Sequence, residues 1–180
     1  MRSIVSPDLS PHTTKASRVM TAAGMLIWLV SCPANAVPSD QEFRKGLSAY
    51  QGGKYLEAMR LWLPLAQQED APAQAGIGFL YYRGLGVAED YAKAAFWLRK
   101  AAQHGQPEGQ MMLGTLYFYG RGVAQSYVWS YAWCDLAQDG GNADASSCRD
   151  ASLQSLANDS DLKKAFRLSV DLHQRFGPKH

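Results

Sequence analysis

The side chains of this sequence best suited to chemistry are four histidines, three cysteines and a few serine, lysine and carboxylate residues, and their spacing limits what they can do together. His12, His104, His173 and His180 lie far apart, and no H-E-x-x-H or C-x-x-C sets ligands at metal-binding intervals. No G-x-S-x-G presents a nucleophile on a tight turn, and no glycine-rich loop is followed by the lysine that phosphate binding requires. Ser160 and Lys163 have the S-x-x-K spacing of a nucleophile and its base. The S-D-N and K-T-G elements that complete such a site are absent, so Ser160 is expected to cap a helix N-terminus instead. Glu89 and Asp90 adjoin a glycine turn, where water solvates them and no further carboxylate raises a pKa. The sequence thus predicts no catalytic residue, no metal site and no cofactor.

Charge argues against one class of partner. Lys and Arg number 18 and Asp and Glu 16 in 180 residues, but Arg2, Lys15 and Arg18 face only Asp8 within the first 36. That leaves 15 basic and 15 acidic side chains beyond residue 36. A balanced chain gains little from releasing counterions, so no nucleic-acid partner is expected. Lys163, Lys164, Arg167 and Arg175 are interleaved with Asp159, Asp161 and Asp171, the pattern of a solvated helix face.

Residues 1–36 have the three parts of a secretory signal peptide: a cationic start, an apolar run and a cut site. Val19 to Val30 (VMTAAGMLIWLV) is a dozen residues long, short of the roughly 20 that a membrane span takes. Pro33 then breaks the helix ahead of Ala34-Asn35-Ala36, whose small residues suit a signal peptidase. Cleavage there leaves Val37 first and no stable membrane span. Leu29-Val30-Ser31-Cys32 also resembles the lipobox of bacterial lipoproteins, with a lipid anchor on Cys32, although Pro33 is unfavourable to it. Either route leads to the periplasm, the cell surface or the medium, where disulfides persist.

The elements that must position everything else come from an internal repeat. Sliding the chain by 36 residues lays 73–105 over 109–141 with 12 identities in 33 pairs, among them Gln74/Gln110, Gly78/Gly114, Tyr81/Tyr117, Gly84/Gly120, Gly86/Gly122 and Trp97/Trp133. Each copy reads as helix, glycine turn, helix. Tyr91, Ala94, Ala95, Leu98, Ala101 and Ala102 recur at the spacing of one helical face. Gly78 removes a side chain where the partner helix must pass. Gly84 and Gly120 stand where a helix needs a left-handed end, and Gly86 and Gly122 let the chain reverse.

These residues resemble the Sel-1-like repeat, a relative of the tetratricopeptide repeat. Ala73, Ile77, Gly78, Tyr81, Gly84, Gly86, Val87, Asp90, Lys93, Ala94, Trp97, Lys100, Ala101, Ala102 and Gly105 sit on its consensus. The second copy keeps Leu113, Gly114, Tyr117, Gly120, Gly122, Val123, Trp133 and Ala137 but has Ser126, Trp129 and Ser130 where Asp, Lys and Ala are usual, so a looser second helix is expected. The resemblance implies an all-α fold, a short right-handed α-solenoid of antiparallel helix pairs with a C-terminal helical cap. Its units are a degenerate tetratricopeptide-like repeat at 40–70, Sel-1-like repeats at 71–106 and 107–142, and a degenerate repeat with capping helices at 143–180. Pro64 should kink or shorten the second helix of the first unit.

In such solenoids the first helix of each unit lines a groove, and the residues that vary there touch a protein or peptide partner. Those positions are Gln74, Ala75, Phe79, Tyr82 and Arg83 in one unit and Gln110, Met111, Thr115, Phe118 and Tyr119 in the next. The implied function is an exported interaction scaffold or adaptor of the bacterial cell envelope. A cell-wall or β-lactam hydrolase and an obligate structural subunit of an envelope complex are the alternatives.

After export only Cys134 and Cys148 remain, each seven residues from Gly141. Facing residues of an antiparallel helix hairpin are symmetric about its turn, which predicts a disulfide between them. One unit earlier the same positions hold Leu98 and Met112, an apolar contact pair. Two separate buried thiols are the alternative, because cysteine also packs as a small hydrophobe.

Overall fold

Eight α-helices and no strand make up residues 38–178, the part of the chain described by this computed structural model. The signal-like segment, the cut after Ala36 and Cys32 lie outside the described residues. In chain order the helices are α1 (Pro38–Gln51), α2 (Tyr55–Gln67), α3 (Ala71–Arg83), α4 (Tyr91–Gln103), α5 (Pro107–Tyr119), α6 (Tyr127–Asp139), α7 (Ala145–Ser155) and α8 (Asp159–Phe176). Each of α1 to α7 packs on its neighbour in sequence, and α3 also meets α5 and α5 meets α7. This is the stacking of an all-helical solenoid.

The 36-residue period holds to the residue: α3 and α5 start and stop 36 positions apart, and so do α4 and α6. Capping chemistry fixes those ends. Asp90 and Ser126 precede α4 and α6, and each side chain accepts the N–H three residues on, from Lys93 at 2.9 Å and from Trp129 at 3.3 Å. Serine therefore replaces the usual aspartate without shortening α6, which has 13 residues like α4. Gly84 and Gly120 end α3 and α5 at φ 63° and 67°, the left-handed conformation that a side chain disfavours. A β-carbon on Gly122 would overlap the Tyr91 carbonyl, so the turn of one unit rests on the first residue of the previous unit's second helix.

Local position bears on two sequence expectations. Pro64 does not shorten α2, which keeps 13 residues. It sits exposed in the last turn and removes a single hydrogen bond, the one its N–H would make to the Arg60 carbonyl. Ser160 is not a cap either. Asn158 caps α8 by accepting from the Asp161 N–H at 2.9 Å, and Ser160 lies exposed inside the first turn with Lys163.

The core is built from small and aliphatic residues of consecutive helices. Ile77 and Leu80 of α3, Leu98 of α4, Leu113 and Leu116 of α5 and Leu136 of α6 are completely buried, each contributing about 1.5–3 kcal/mol of transfer free energy. Gly78 and Gly114 make the close approach possible, since a β-carbon there would overlap Leu98 and Cys134 respectively. Cys134 and Cys148 form the disulfide, with α-carbons 5.9 Å apart, inside the range an unstrained bridge needs. It joins α6 to α7, a polar helix that buries only Ala145 and Ser152. The last helix turns back: α8 packs along α6, setting Leu172 into the main core and stacking Phe176 on Trp133 at 6.0 Å.

Candidate binding groove

The first helix of each unit contributes to a groove in two stretches. The first, about 460 Å³, is bounded by Phe43, Leu47 and Tyr50 of α1, Ala75 and Phe79 of α3, and Met111 and Met112 of α5. Its walls are almost entirely apolar, with Gln106 and Glu108 on the rim. Trp62 of α2 forms its floor. The indole fits between Gly46 and Gly76, where a β-carbon on either would overlap it, and its N–H donates to the Phe43 carbonyl at 3.2 Å. Phe43 stacks on this ring at 5.6 Å, and Tyr50 meets Phe79 edge-on at 6.0 Å. The aromatic surface is thus held rigidly from behind.

The second stretch, about 280 Å³, runs between α5 and α7, with Met111, Thr115, Phe118 and Tyr119 on one side and Asp144, Ser147, Cys148 and Ala151 on the other. Met111 belongs to both stretches and links them. The Thr115 hydroxyl donates back to the Met111 carbonyl at 3.0 Å, so this wall offers little polar chemistry of its own. Tyr119 is 58% exposed, and the Arg121 guanidinium lies over its ring at 5.1 Å, a cation–π arrangement at the groove's end.

The structure sorts the ten expected groove residues. Ala75, Phe79, Met111, Thr115, Phe118 and Tyr119 line the two stretches. Gln74 and Gln110 do not, being 0% and 2% exposed. Their amides donate to the carbonyls of Ala66 at 3.0 Å and Ala102 at 3.1 Å, in the last turns of α2 and α4. Tyr82 is half-buried against Tyr91 at 5.7 Å and packs on the core. Arg83 is exposed at the end of α3 and lines neither stretch.

Phe43, Leu47 and Tyr50 were not anticipated, although the sequence carried a signal for them. Aligning Gly46 with Gly78 and Gly114 puts Phe43, Ala75 and Met111 in one row, Leu47, Phe79 and Thr115 in the next, and Tyr50, Tyr82 and Phe118 in a third. The shortened turn of the first unit hides this register from a 36-residue shift.

One cluster outside the groove has the residue types of a hydrolase. Ser169 and His173 of α8 face Asp135 and Asp139 of α6. The Ser169 hydroxyl donates to Asp135 at 2.5 Å. The His173 Nδ1 lies 2.8 Å from the Ser169 carbonyl and 3.3 Å from the Ser169 hydroxyl, and its Nε2 lies 2.8 Å from Asp139. The ring nitrogen nearest the Ser169 hydroxyl is closer to that residue's backbone carbonyl, and the hydroxyl itself is committed to Asp135, which is not the geometry of a base activating a nucleophile. The cluster fastens α8 to α6. His104 bonds elsewhere, to Gln74 at 3.1 Å, and no group of three His, Cys, Asp or Glu residues suited to a metal ion occurs among the described residues.

Residues 71–106 and 107–142 each match the Sel1 repeat. Among solved structures, c5321, a protective antigen of uropathogenic Escherichia coli strains displaying an SLR fold, gives a TM-score of 0.70 at 29% identity over 77% of this chain and 30% of that one. A Sel1 repeat protein from Oxalobacter formigenes gives 0.59 at 27% identity over 72% of this chain and 55% of that one. The chain therefore spans under a third of the first protein and just over half of the second. No match is found among curated proteins. Sel1-repeat folds are in general scaffolds for protein–protein interaction and not catalysts. Residues 71–142 thus match the Sel1 repeat twice in tandem, and the fold of the described residues is similar to that of solved Sel1-repeat proteins.

Proposed function

We propose that this protein is an exported adaptor of the bacterial cell envelope that holds an extended segment of another protein in the groove described above. The observation carrying this reading is the aromatic first stretch: Phe43, Tyr50 and Phe79 present a rigid apolar surface whose side chains are already ordered by Trp62, so little entropy is lost on binding. Aromatic residues and methionine in a desolvated pocket are the usual anchors of such interfaces. A partner segment that inserts apolar side chains along α1, α3 and α5 fits this chemistry. Export is supported by the signal-like order of residues 1–36 and by the Cys134–Cys148 bridge, which an oxidising compartment sustains. No described helix is long and apolar enough to cross a membrane.

The test is capture from envelope extract with three proteins: wild type, Phe79→Asp with Met111→Asp, and a control with Val170→Asp on the far side of α8. A partner bound by wild type and the control and lost from the groove variant supports the reading. Capture that is equal in all three overturns it. N-terminal sequencing and fractionation of the mature protein test export separately, by showing whether the chain starts at Val37, at a lipidated Cys32, or at neither.

A further inference from the structure

The groove carries its charge along one edge. Among the described residues, Glu108 is the only charged side chain lining the first stretch and Asp144 the only one lining the second, and both are exposed. They are 36 residues apart and so hold the same position in consecutive units. Aligning Gly46 with Gly78 and Gly114 extends this row to Asp40, with Pro72 between. The row therefore follows the starts of α1, α3, α5 and α7. No lysine or arginine lines either stretch, and Arg83 and Arg121 stand at the opposite ends of α3 and α5.

These carboxylates are not neutralised by their own helices. Glu42, Asp90 and Asp161 each hold a lysine three residues on, the ordinary arrangement on a helix surface. Three residues after Asp40, Glu108 and Asp144 the chain has Phe43, Met111 and Ser147, which line the groove instead. Among the described residues none of the three acids enters an ion pair. Glu108 accepts the neutral Gln106 amide at 2.7 Å. Capping does not use them either: α5 begins without a side-chain cap, and Asn142, not Asp144, accepts the N–H groups at the start of α7.

We propose that the segment held in the groove is basic as well as apolar, with Lys or Arg side chains along the row of Asp40, Glu108 and Asp144 and apolar side chains against Phe79 and Met111. This rests on the groove being where a partner binds. Neighbouring packed helices lie about 8–10 Å apart, roughly three residues of extended chain. Glu108 and Asp144 thus select cations about three to four residues apart, with apolar residues between them, over a continuous basic run. Each such exposed pair contributes roughly two- to fivefold in affinity and acts mainly on encounter and specificity. The apolar stretch supplies the hold.

The test pans a phage-displayed library of random dodecapeptides on the purified protein and titrates the enriched peptides by fluorescence anisotropy. They are expected to carry Lys or Arg about three to four residues apart with Leu, Phe or Tyr between. Their affinity should fall roughly five- to twentyfold in Glu108→Gln with Asp144→Asn, and further in Phe79→Ala with Met111→Ala. Panning on Glu108→Lys with Asp144→Lys should enrich acidic peptides in their place, a reversal that a role confined to helix stability does not produce. Neutral or acidic peptides that need Phe79 and Met111, or basic ones indifferent to Glu108→Gln with Asp144→Asn, overturn the proposal and leave the groove reading standing. Peptides indifferent to Phe79→Ala with Met111→Ala, or no enrichment at all, overturn both. Self-association that this apolar variant abolishes, read by sedimentation, makes the occupant a second copy and overturns the proposal as well.

Discussion

The side-chain amide of Gln74 reaches across to the carbonyl of Ala66, eight residues earlier, and closes the end of α2 with a group belonging to α3. The bond is buried, and both its members are inaccessible to water: Gln74 is 0% exposed and Ala66 1%. Removing it takes one of two donors from that carbonyl, which keeps the Glu69 N–H at 3.3 Å, and leaves His104 Nδ1 without its Gln74 partner. Gln74→Leu, which is close in volume, is therefore expected to lower stability by about 0.5–1.5 kcal/mol. Urea denaturation reads this directly, and a midpoint equal to wild type would show the amide to be dispensable.

The disulfide bears on stability and on one helix in particular. Cys134→Ala with Cys148→Ala opens a loop of about 15 residues and should cost roughly 3 kcal/mol. Because α7 buries only Ala145 and Ser152, its amides should exchange hydrogen fastest in the reduced protein, ahead of those in α3 to α6. Ser152 accepts or donates to Ser130 at 2.7 Å, a single contact that cannot replace the bridge. Uniform loss of protection along the chain would contradict this assignment.

Tyr82 and Phe79 separate packing from binding. Tyr82→Ala removes an edge-on contact with Tyr91 and a half-buried ring, so the melting temperature should fall with a loss of about 1–2 kcal/mol, less than a fully buried aromatic would cost. Phe79→Ala should leave the melting temperature nearer to wild type while weakening partner capture. Thermal unfolding of the two variants side by side decides between these roles, and an inverted order places Phe79 in the core.

The first turn of α4 has a pH response of known sign. The Lys93 backbone N–H, bonded to the Asp90 carboxylate at 2.9 Å, and then the Lys93 ammonium at 3.2 Å hold that carboxyl below its ordinary pKa. A folded-state pKa lower than the unfolded one stabilises the helix throughout the range above the unfolded value. That contribution fades as pH drops through the folded value. The protection factor of the Lys93 amide, its exchange relative to the intrinsic rate at each pH, should fall on acidification in wild type and stay constant in Asp90→Asn, which caps without titrating.

Turn strain gives a further expectation. Gly84 has φ 63°, where a β-branched residue is strained, so Gly84→Val should cost on the order of 1–2 kcal/mol. Gly122→Ala should cost more than Gly120→Ala despite similar φ, because its β-carbon meets the Tyr91 backbone as well. Chemical denaturation of the pair compares strain alone with strain plus overlap.

Much of this was readable before any coordinates. Left-handed glycines, helix faces and the cysteine pair follow from local rules: 36-residue periodicity fixed the hairpins, and mirror symmetry about Gly141 put two sulfurs at one level. The groove was only half legible. Gln74 and Gln110 were assigned to it although they are identical between units, and identity at a surface meant to discriminate partners is itself a contrary signal. Their burial depends on the end of the preceding helix lying over them, a tertiary fact that no single-helix pattern contains. Ser160 failed for a simpler reason: it lies within one turn of a helix end, where a shift of two residues, to Asn158, reverses the expected consequence.

The exact 36-residue register of helix ends also governs how such a gene can grow. A duplicated segment of that length inserted between α4 and α5 would reproduce every junction, each new unit offering a glutamine to the carbonyl before it and a glycine turn to the helix behind. Any other length would misalign them. Addition after α7 meets a different obstacle, because α8 already occupies the flank of α6. Tandem expansion is thereby confined to the interior of the array, and lineages carrying longer versions should differ in copy number there while retaining the same closing helix.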